Sequence, residues 1–387
     1  LLAYGAYVAA RAKLDVFPEF VPPQVVIQSE APGLSPEQVE MLVTRPIESV
    51  VAGVGDLDTV RSQSAQGIAI VTATFRDGTN ILVARQMLGE RLAELAGELP
   101  QGVKAPKMSP LTSATMDLYK LALVGDDAAP VKPTPTALRT FADWVVRPRL
   151  LAVPGVASVN IYGGEVRQLQ VQVLPERLVA YDLSLEDVLT AARGATGVRG
   201  AGFIETPAQR IVLQTQGQAL TPEQLGEAVV VQRGVLTIRL RDLAHVQVGA
   251  QPKFGDALFQ GQPAVFIAML SQYGANTLEA TRAVERALDE MEPGFKAQGI
   301  VLQRGLFRPA SFIETAVRNI GHSLLLGGVF VAVVLLIFLW NFRTAFISIT
   351  AIPLSLLTAV LVLDRLGATL NTITLGGLAI AIGIVVD

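Results

Sequence analysis

Cysteine is absent from all 387 residues, so neither a disulfide framework nor a thiolate metal site is available. Histidine is almost absent. His245 sits in the alternating run "LAHVQV" and His322 lies just before a long apolar run, and neither has a metal-ligand neighbour at useful spacing. The six methionines, Met41, Met87, Met108, Met116, Met269 and Met291, are scattered, whereas soft thioether sulfur holds Cu(I) or Ag(I) only where several converge; they read as core filler. No GxxxxGK[ST] loop exists to cradle a phosphate, which leaves nucleotide-driven chemistry unsupported. No nucleophile-and-base constellation stands out either, which argues against hydrolysis. Acidic pairs such as Glu37 with Glu40 and Asp126 with Asp127 read as solvated faces and turns. Charge is sparse, 31 Lys and Arg against 34 Asp and Glu, and the net charge of -3 gives no nucleic-acid footprint.

Those charges lie almost entirely between positions 11 and 320, so the chain is two materials joined together. Ser323–Trp340 gives 18 residues without a charge, Thr344–Leu363 gives 20 and Leu366–Val386 gives 21. A helix rising about 1.5 Å per residue needs about 20 apolar residues to cross about 30 Å of hydrocarbon. All three runs therefore qualify as membrane spans, assigned to 313–341, 344–363 and 366–387, with connections short enough only for hairpins. The opening "LLAYGAYVAA" lacks a basic leader region and is expected to be the tail of a further span, 1–12. Two spans bracket a polar stretch of about 300 residues, which must therefore form one extramembrane body. Loop charge does not orient it: Arg343 marks one side, while Arg11, Lys13 and Arg365 mark the other.

Asp387 follows 21 uncharged residues. An ionised carboxylate near the bilayer centre costs roughly 2.5–3.5 kcal/mol, so such a residue persists when it is paired or protonated. Desolvation raises its pKa and a nearby cation lowers it, which is the chemistry of a proton relay. From the residues alone two readings stay open: a relay acid, or an interfacial residue that ends a span. Gly376, Gly377 and Gly383 allow close helix approach, and Pro353 is expected to kink its span.

The polar body reads as a duplication. "QVVIQS" is strand-like, and "GLSPEQVEMLVTRPIESVV" opens a helix with Ser35 as N-cap, Pro36 in the first turn and Gln38 completing a capping box. "LDTVRSQS" and "GIAIVTATF" follow as a hairpin, then the helix "TNILVARQMLGERLAEL" and the strand "VKAPKMS". That is a split βαβ order over 23–115. The order recurs with "YKLALVG", the helix "TALRTFADWVVRPRLLAV" and a second expected hairpin, "ASVNIYG" with "RQLQVQVL", over 116–174. Its closing half, 251–308, comes later as "DALFQGQPAVFIAML", "NTLEATRAVERALDEM" and "IVLQRG". "GTNILVAR" at 78–85 matches "GANTLEAT" at 274–281, and "VGDLDTV" matches "VPGVASV", in the same slots of both units. An insertion over 175–250 carries its own helix starts, capped by Ser184 and by Thr221 with Pro222 and Gln224.

This layout resembles the resistance-nodulation-division family of exporters. "LDVFPEFVPPQVVIQSEAPGLSPEQVEMLVTRPIE" is similar to the junction from a first span into the porter domain. The run from "FIETAVRNIGHSLLLGG" to "GGLAIAIGIVVD" is similar to spans two, three and the start of four. The resemblance covers the whole chain, which corresponds to the first third or so of such a protein. "ARQMLGERLAELAGELPQGV" and the short insertion around "GFIETPAQRIVLQTQ" resemble the heavy-metal branch, which exports copper, silver, zinc, cobalt or cadmium. The resemblance implies an α+β membrane protein in which transmembrane helices carry a periplasmic porter domain of repeated split βαβ (ferredoxin-like) subdomains with an inserted docking subdomain. It further implies a proton antiporter and not an enzyme, a homotrimer in the bacterial inner membrane, a periplasmic adaptor and an outer-membrane channel as partners, no cofactor, and the metal cation as substrate. It makes Asp387, within "GIVVD", a fourth-span acid of the proton relay. Some divalent-cation exporters carry another acid six residues earlier, where this chain has Ala381, so zinc or cobalt is less well supported. The methionine cluster of the monovalent-metal exporters lies in a later part of the porter domain. Two other readings are a drug or amphiphile exporter of the same family and a non-pumping membrane-anchored secretion or assembly accessory.

Overall fold

Alternation is cleanest in "IAIVTATF", and in the computed structural model this segment is a strand whose residues alternate between half-buried and buried. The structure describes residues 22–95, 97–111, 117–197, 200–205, 209–214, 218–253, 255–339 and 342–366, with a few positions between 4 and 8 and between 371 and 380.

The first unit runs β1 (Gln24–Glu30), α1 (Pro36–Val39), α2 (Arg45–Ala52), β2 (Leu57–Ala65), β3 (Ile68–Phe75), α3 (Ile81–Leu95) and β4 (Lys107–Met108). The helices bury Val39, Ile47, Val51, Ala84, Leu88 and Leu92 against Val25, Ile27, Val71 and Phe75 of the sheet. Strand order is β2-β3-β1-β4, all antiparallel. β4 is only two residues long, shorter than "VKAPKMS" suggested, because Pro106 cannot donate to a ladder.

The second unit repeats the plan with β5 (Asp117–Gly125), α4 (Pro135–Phe141), α5 (Arg147–Leu151) and β6 (Val156–Gly163). The chain then leaves through β7 (Arg167–Val173) and returns later through β13 (Leu258–Phe259), β14 (Gln262–Ser271), α10 (Thr277–Ala297) and β15 (Ile300–Phe307). Counting the four principal strands of this unit in chain order, the sheet runs second-third-first-fourth, as in the first unit. Its core holds Tyr119, Leu121, Leu123, Val146, Leu150, Ile267, Met269, Val284 and Phe295.

Small details of the duplication persist. Asn80 Oδ1 accepts from the Leu82 N–H at 3.0 Å, and Asn276 Oδ1 accepts from the Leu278 N–H at 3.1 Å, so both second helices begin on the same asparagine cap. Asp56 (φ 59°) and Gly155 (φ 90°) occupy equivalent left-handed turn positions. Both first helices widen into a π turn, at Glu40–Thr44 and Ala142–Val146, just before an Arg-Pro pair. Proline lacks an N–H and its ring collides with the carbonyl four residues back. One extra residue in the turn moves that carbonyl away, and the Arg45 and Arg147 N–H groups reach back to the Glu40 and Ala142 carbonyls.

The expected hairpin between β6 and β7 does not form. β6 pairs with β14, while β7 pairs with β12 (Ala244–Ala250), Arg167 facing Ala250 and Val173 facing Ala244. The turn between them holds Gly163 and Gly164 at φ 75° and 67°, and a Cβ on Gly163 would stand 2.5 Å from the Ala257 Cβ. That tight seat against the chain returning into β14 directs β7 outward. Between β7 and β12 lie α6 (Pro175–Tyr181), α7 (Leu185–Thr196), β8 (Gly200–Glu205), β9 (Arg210–Gln214), α8 (Pro222–Gly226), β10 (Val229–Arg233), β11 (Leu236–Arg239) and α9 (Leu240–Leu243). A separate small core of Val188, Leu225, Ile238, Leu240 and Leu243 holds them. The Ser184 and Thr221 caps form as capping boxes, as does the Ser35 cap of α1.

Two long helices close the described chain, α11 (Ala310–Leu339), 30 residues, and α12 (Phe342–Arg365), 24 residues. Among the described residues no helix is long and apolar enough to cross a membrane. Most of 366–387, including Asp387 and Ala381, and most of 1–12 lie outside the described residues.

Candidate functional site

Where β15 ends and α11 begins, a short connection joins the second unit to the first of the long helices. Arg308 lies in it and binds two carboxylates at once. Its Nε donates to Glu285 Oε1 at 2.7 Å and its Nη2 to Glu285 Oε2 at 3.2 Å. On the other side Nη1 donates to Glu314 Oε2 at 2.7 Å and Nη2 to Glu314 Oε1 at 3.3 Å. Glu285 belongs to α10 and Glu314 to the second turn of α11, so one guanidinium ties three elements together.

The side chains of Arg308, Glu285 and Glu314 are 21%, 29% and 32% exposed. They are neither in the dry interior nor on the open surface. The two paired carboxylates raise the Arg308 pKa further above its already high ordinary value. A second cation, Arg282 on α10, stands 3.7 Å from Glu314 Oε1.

Apolar contact fixes the same joint from beneath. Ala310 and Ile313, on the inner side of the first turn of α11, are 0% and 1% exposed. Nearby lies the buried Tyr119 phenol, and burial, with Glu285 as a lesser cause, raises its pKa. Gly305 has φ 65°, and the β15–β5 register slips between Gln303 and Phe307, so the end of β15 is bulged over this tyrosine. Lys120, beside Tyr119, rests 4.9 Å above the Phe307 ring and pairs with Asp117 at 2.5 Å. One turn further along α10, Arg304 bridges Asp289 and Glu292, at 2.5 and 3.0 Å.

The joint opens onto a groove of about 1030 Å³ along α10, lined by Glu279, Arg282, Glu285, Arg286 and Asp289 with Gly155, Gln272 and Asn276. Its wall mixes both charge signs. Gly155 lets α10 approach here, since a Cβ on it would lie 2.8 Å from the Ala280 Cβ.

The residues weighed from sequence are not gathered at this joint. Asp387, the one relay acid expected, lies outside the described residues. His245 is exposed on β12 opposite Gln172, and His322 is exposed on α11. Met269 is buried in the second core, Met87 and Met108 pack against the first, Met291 against the second, Met41 is 60% exposed, and Met116 lies outside the described residues. Among the described residues no three His, Cys, Asp or Glu side chains are grouped to hold a metal ion. The sequence reading missed Arg308 and its partners. The available signal was "FRPASFIET": an arginine at a strand end and a glutamate six residues on, the last charges but one before a long apolar run.

The AcrB/AcrD/AcrF family matches residues 1–387. The chain belongs to that family. Its resemblance to the resistance-nodulation-division exporters therefore holds, and its similarity lies with their heavy-metal branch. It is 33% identical over 390 residues to the cation efflux system protein CzcA of Alcaligenes sp. (strain CT14), covering 99% of this chain and 36% of that protein. It is 31% identical over 389 residues to the cation efflux system protein CusA of Escherichia coli (strain K12), covering 100% of this chain and 37% of that one. Among solved structures it is similar to a heavy metal efflux pump, with a TM-score of 0.83 at 26% identity, covering 96% of this chain and 37% of that chain. The chain thus spans just over a third of the length of these relatives.

Proposed function

We propose that the chain forms part of a proton-driven exporter of heavy-metal cations that works across a bacterial cell envelope. The observation that supports this most is the coincidence of both comparisons: relatives named for cation efflux match over essentially the whole chain, and a heavy metal efflux pump has the same fold over 96% of it. In this reading the two split βαβ units and the segment inserted between β7 and β12 are porter and docking subdomains outside the membrane. α11, α12 and the run 366–387 are read as membrane spans from their uncharged sequence runs of 18, 20 and 21 residues, and the opening 1–12, too short to span by itself, as the tail of a further span. The pump acts as a homotrimer in the inner membrane, with a periplasmic adaptor and an outer-membrane channel. Metal is cargo and no resident cofactor is required.

Asp387 is the relay acid of this reading. Its carboxyl takes up a proton when desolvated and releases it when a cation comes near, and that exchange biases the subunit between access and extrusion states. The driving force available is about 2.3 kcal/mol per charge per 100 mV. The test uses the full-length protein in sealed vesicles with an imposed proton gradient. Accumulation of Zn²⁺ or Ag⁺ that collapses with the gradient supports the reading, and movement of dyes without metal ions transfers it to the drug-exporting branch.

A further inference from the structure

We infer that Arg308 is a positioning residue for transport: its double fork sets the angle between α10 and α11 and carries movement from one to the other. This rests on the export reading above.

Anchoring alone does not account for the geometry. Ala310 and Ile313 already bury the first turn of α11, and a lone ammonium could neutralise either carboxylate. What the planar guanidinium adds is direction. Its Nε–Nη2 edge takes Glu285 and its Nη1–Nη2 edge takes Glu314, so both carboxylates are held by one rigid plane. A tilt of α11 therefore either turns the guanidinium and pulls Glu285, and α10 with it, or breaks both hydrogen bonds to Glu314 together.

The joint also has an alternative arrangement within reach. Arg282, one turn from Glu285 on α10, already stands 3.7 Å from Glu314 Oε1. A shift of α11 along α10 transfers Glu314 from Arg308 to Arg282 without leaving a carboxylate unpaired. Two discrete pairings of one acid with two cations are a bistable element of the kind that converts a small displacement into a switch. The groove is the output, because Arg282 and Glu285 line it, and any repositioning of α10 reshapes its charged wall.

The experiment uses full-length pump in sealed vesicles, with Zn²⁺ and Ag⁺ as separate probes, and compares Arg308→Lys and Glu314→Gln with the wild type. Wild-type vesicles that move neither ion defeat the export reading itself and leave the joint to be judged by its pairing geometry alone, which Arg308→Lys would then alter in hydrogen exchange of α10. Where the wild type transports, both variants are expected to lose at least tenfold in turnover at saturating metal, with half-saturating concentration within twofold and thermal midpoint within a few degrees. A merely structural pair gives the reverse pattern: a lower midpoint, with turnover per folded pump unchanged. If Arg308→Lys does not fold, Glu314→Gln decides by the same readings. Turnover within twofold of wild type in the folded variants overturns the inference.

Discussion

Gly155 offers a quantitative test of why the second unit, unlike the first, needs glycine at its turn. Two separate costs meet there. A side chain at φ 90° is strained by roughly 1–2 kcal/mol. A Cβ would also stand 2.8 Å from the Ala280 Cβ on a helix whose neighbouring residues are packed, and overpacking of this kind costs roughly 1–3 kcal/mol. Gly155→Ala is therefore expected to destabilise the second unit by about 2–5 kcal/mol, a fall in Tm of about 5–15 °C for a body of this size. The equivalent Asp56 at φ 59° bears only the first cost, so Asp56→Gly should leave stability unchanged or raise it by up to about 1 kcal/mol. Ala280→Gly added to Gly155→Ala removes the contact and should restore part of the loss, less about 1 kcal/mol for glycine within a helix. The assay is thermal unfolding of the complete protein in detergent. A Gly155→Ala midpoint within 2 °C of wild type, or no recovery on adding Ala280→Gly, would refute the packing argument.

Two further outcomes follow from the same structure. Asn276→Ala removes the acceptor for the Leu278 and Glu279 N–H groups and should cost about 1 kcal/mol, read as faster hydrogen exchange in the first turn of α10. Phe295→Ala, at a side chain 1% exposed against Phe141, should cost roughly 3–5 kcal/mol in unfolding of the complete protein, and a loss under 1 kcal/mol would show that the second core is loosely packed.

Much of the fold was legible because its signals are local. Ser35, Ser184 and Thr221 cap helices through residues three positions on, and the alternation in "IAIVTATF" fixes which face of β3 is inward. The match of "GTNILVAR" with "GANTLEAT" was legible for the same reason, since both asparagines cap within their own turn. The partner of β7 was not, because Arg167–Val173 alternates equally well beside β6 or beside β12. Its pairing depends on how Gly163 seats against Ala257, about ninety residues away in sequence. The π turns were hidden in plain helical runs, although the repeated Arg-Pro pairs were visible. The Arg308 joint was missed for a related reason: Glu285 and Arg308 are 23 residues apart, and only the return of β15 along α10 brings them together. Asp387 was singled out by an opposite kind of signal, a charge isolated in an apolar run, which needs no tertiary knowledge.

The export account is tested most directly by one comparison, made with full-length protein in sealed vesicles under an imposed proton gradient: metal accumulation by wild type against Asp387→Asn. The account requires gradient-dependent accumulation of Zn²⁺ or Ag⁺ by the wild type and its loss in the variant, with the variant still folded and assembled. Accumulation by Asp387→Asn at the wild-type rate contradicts it.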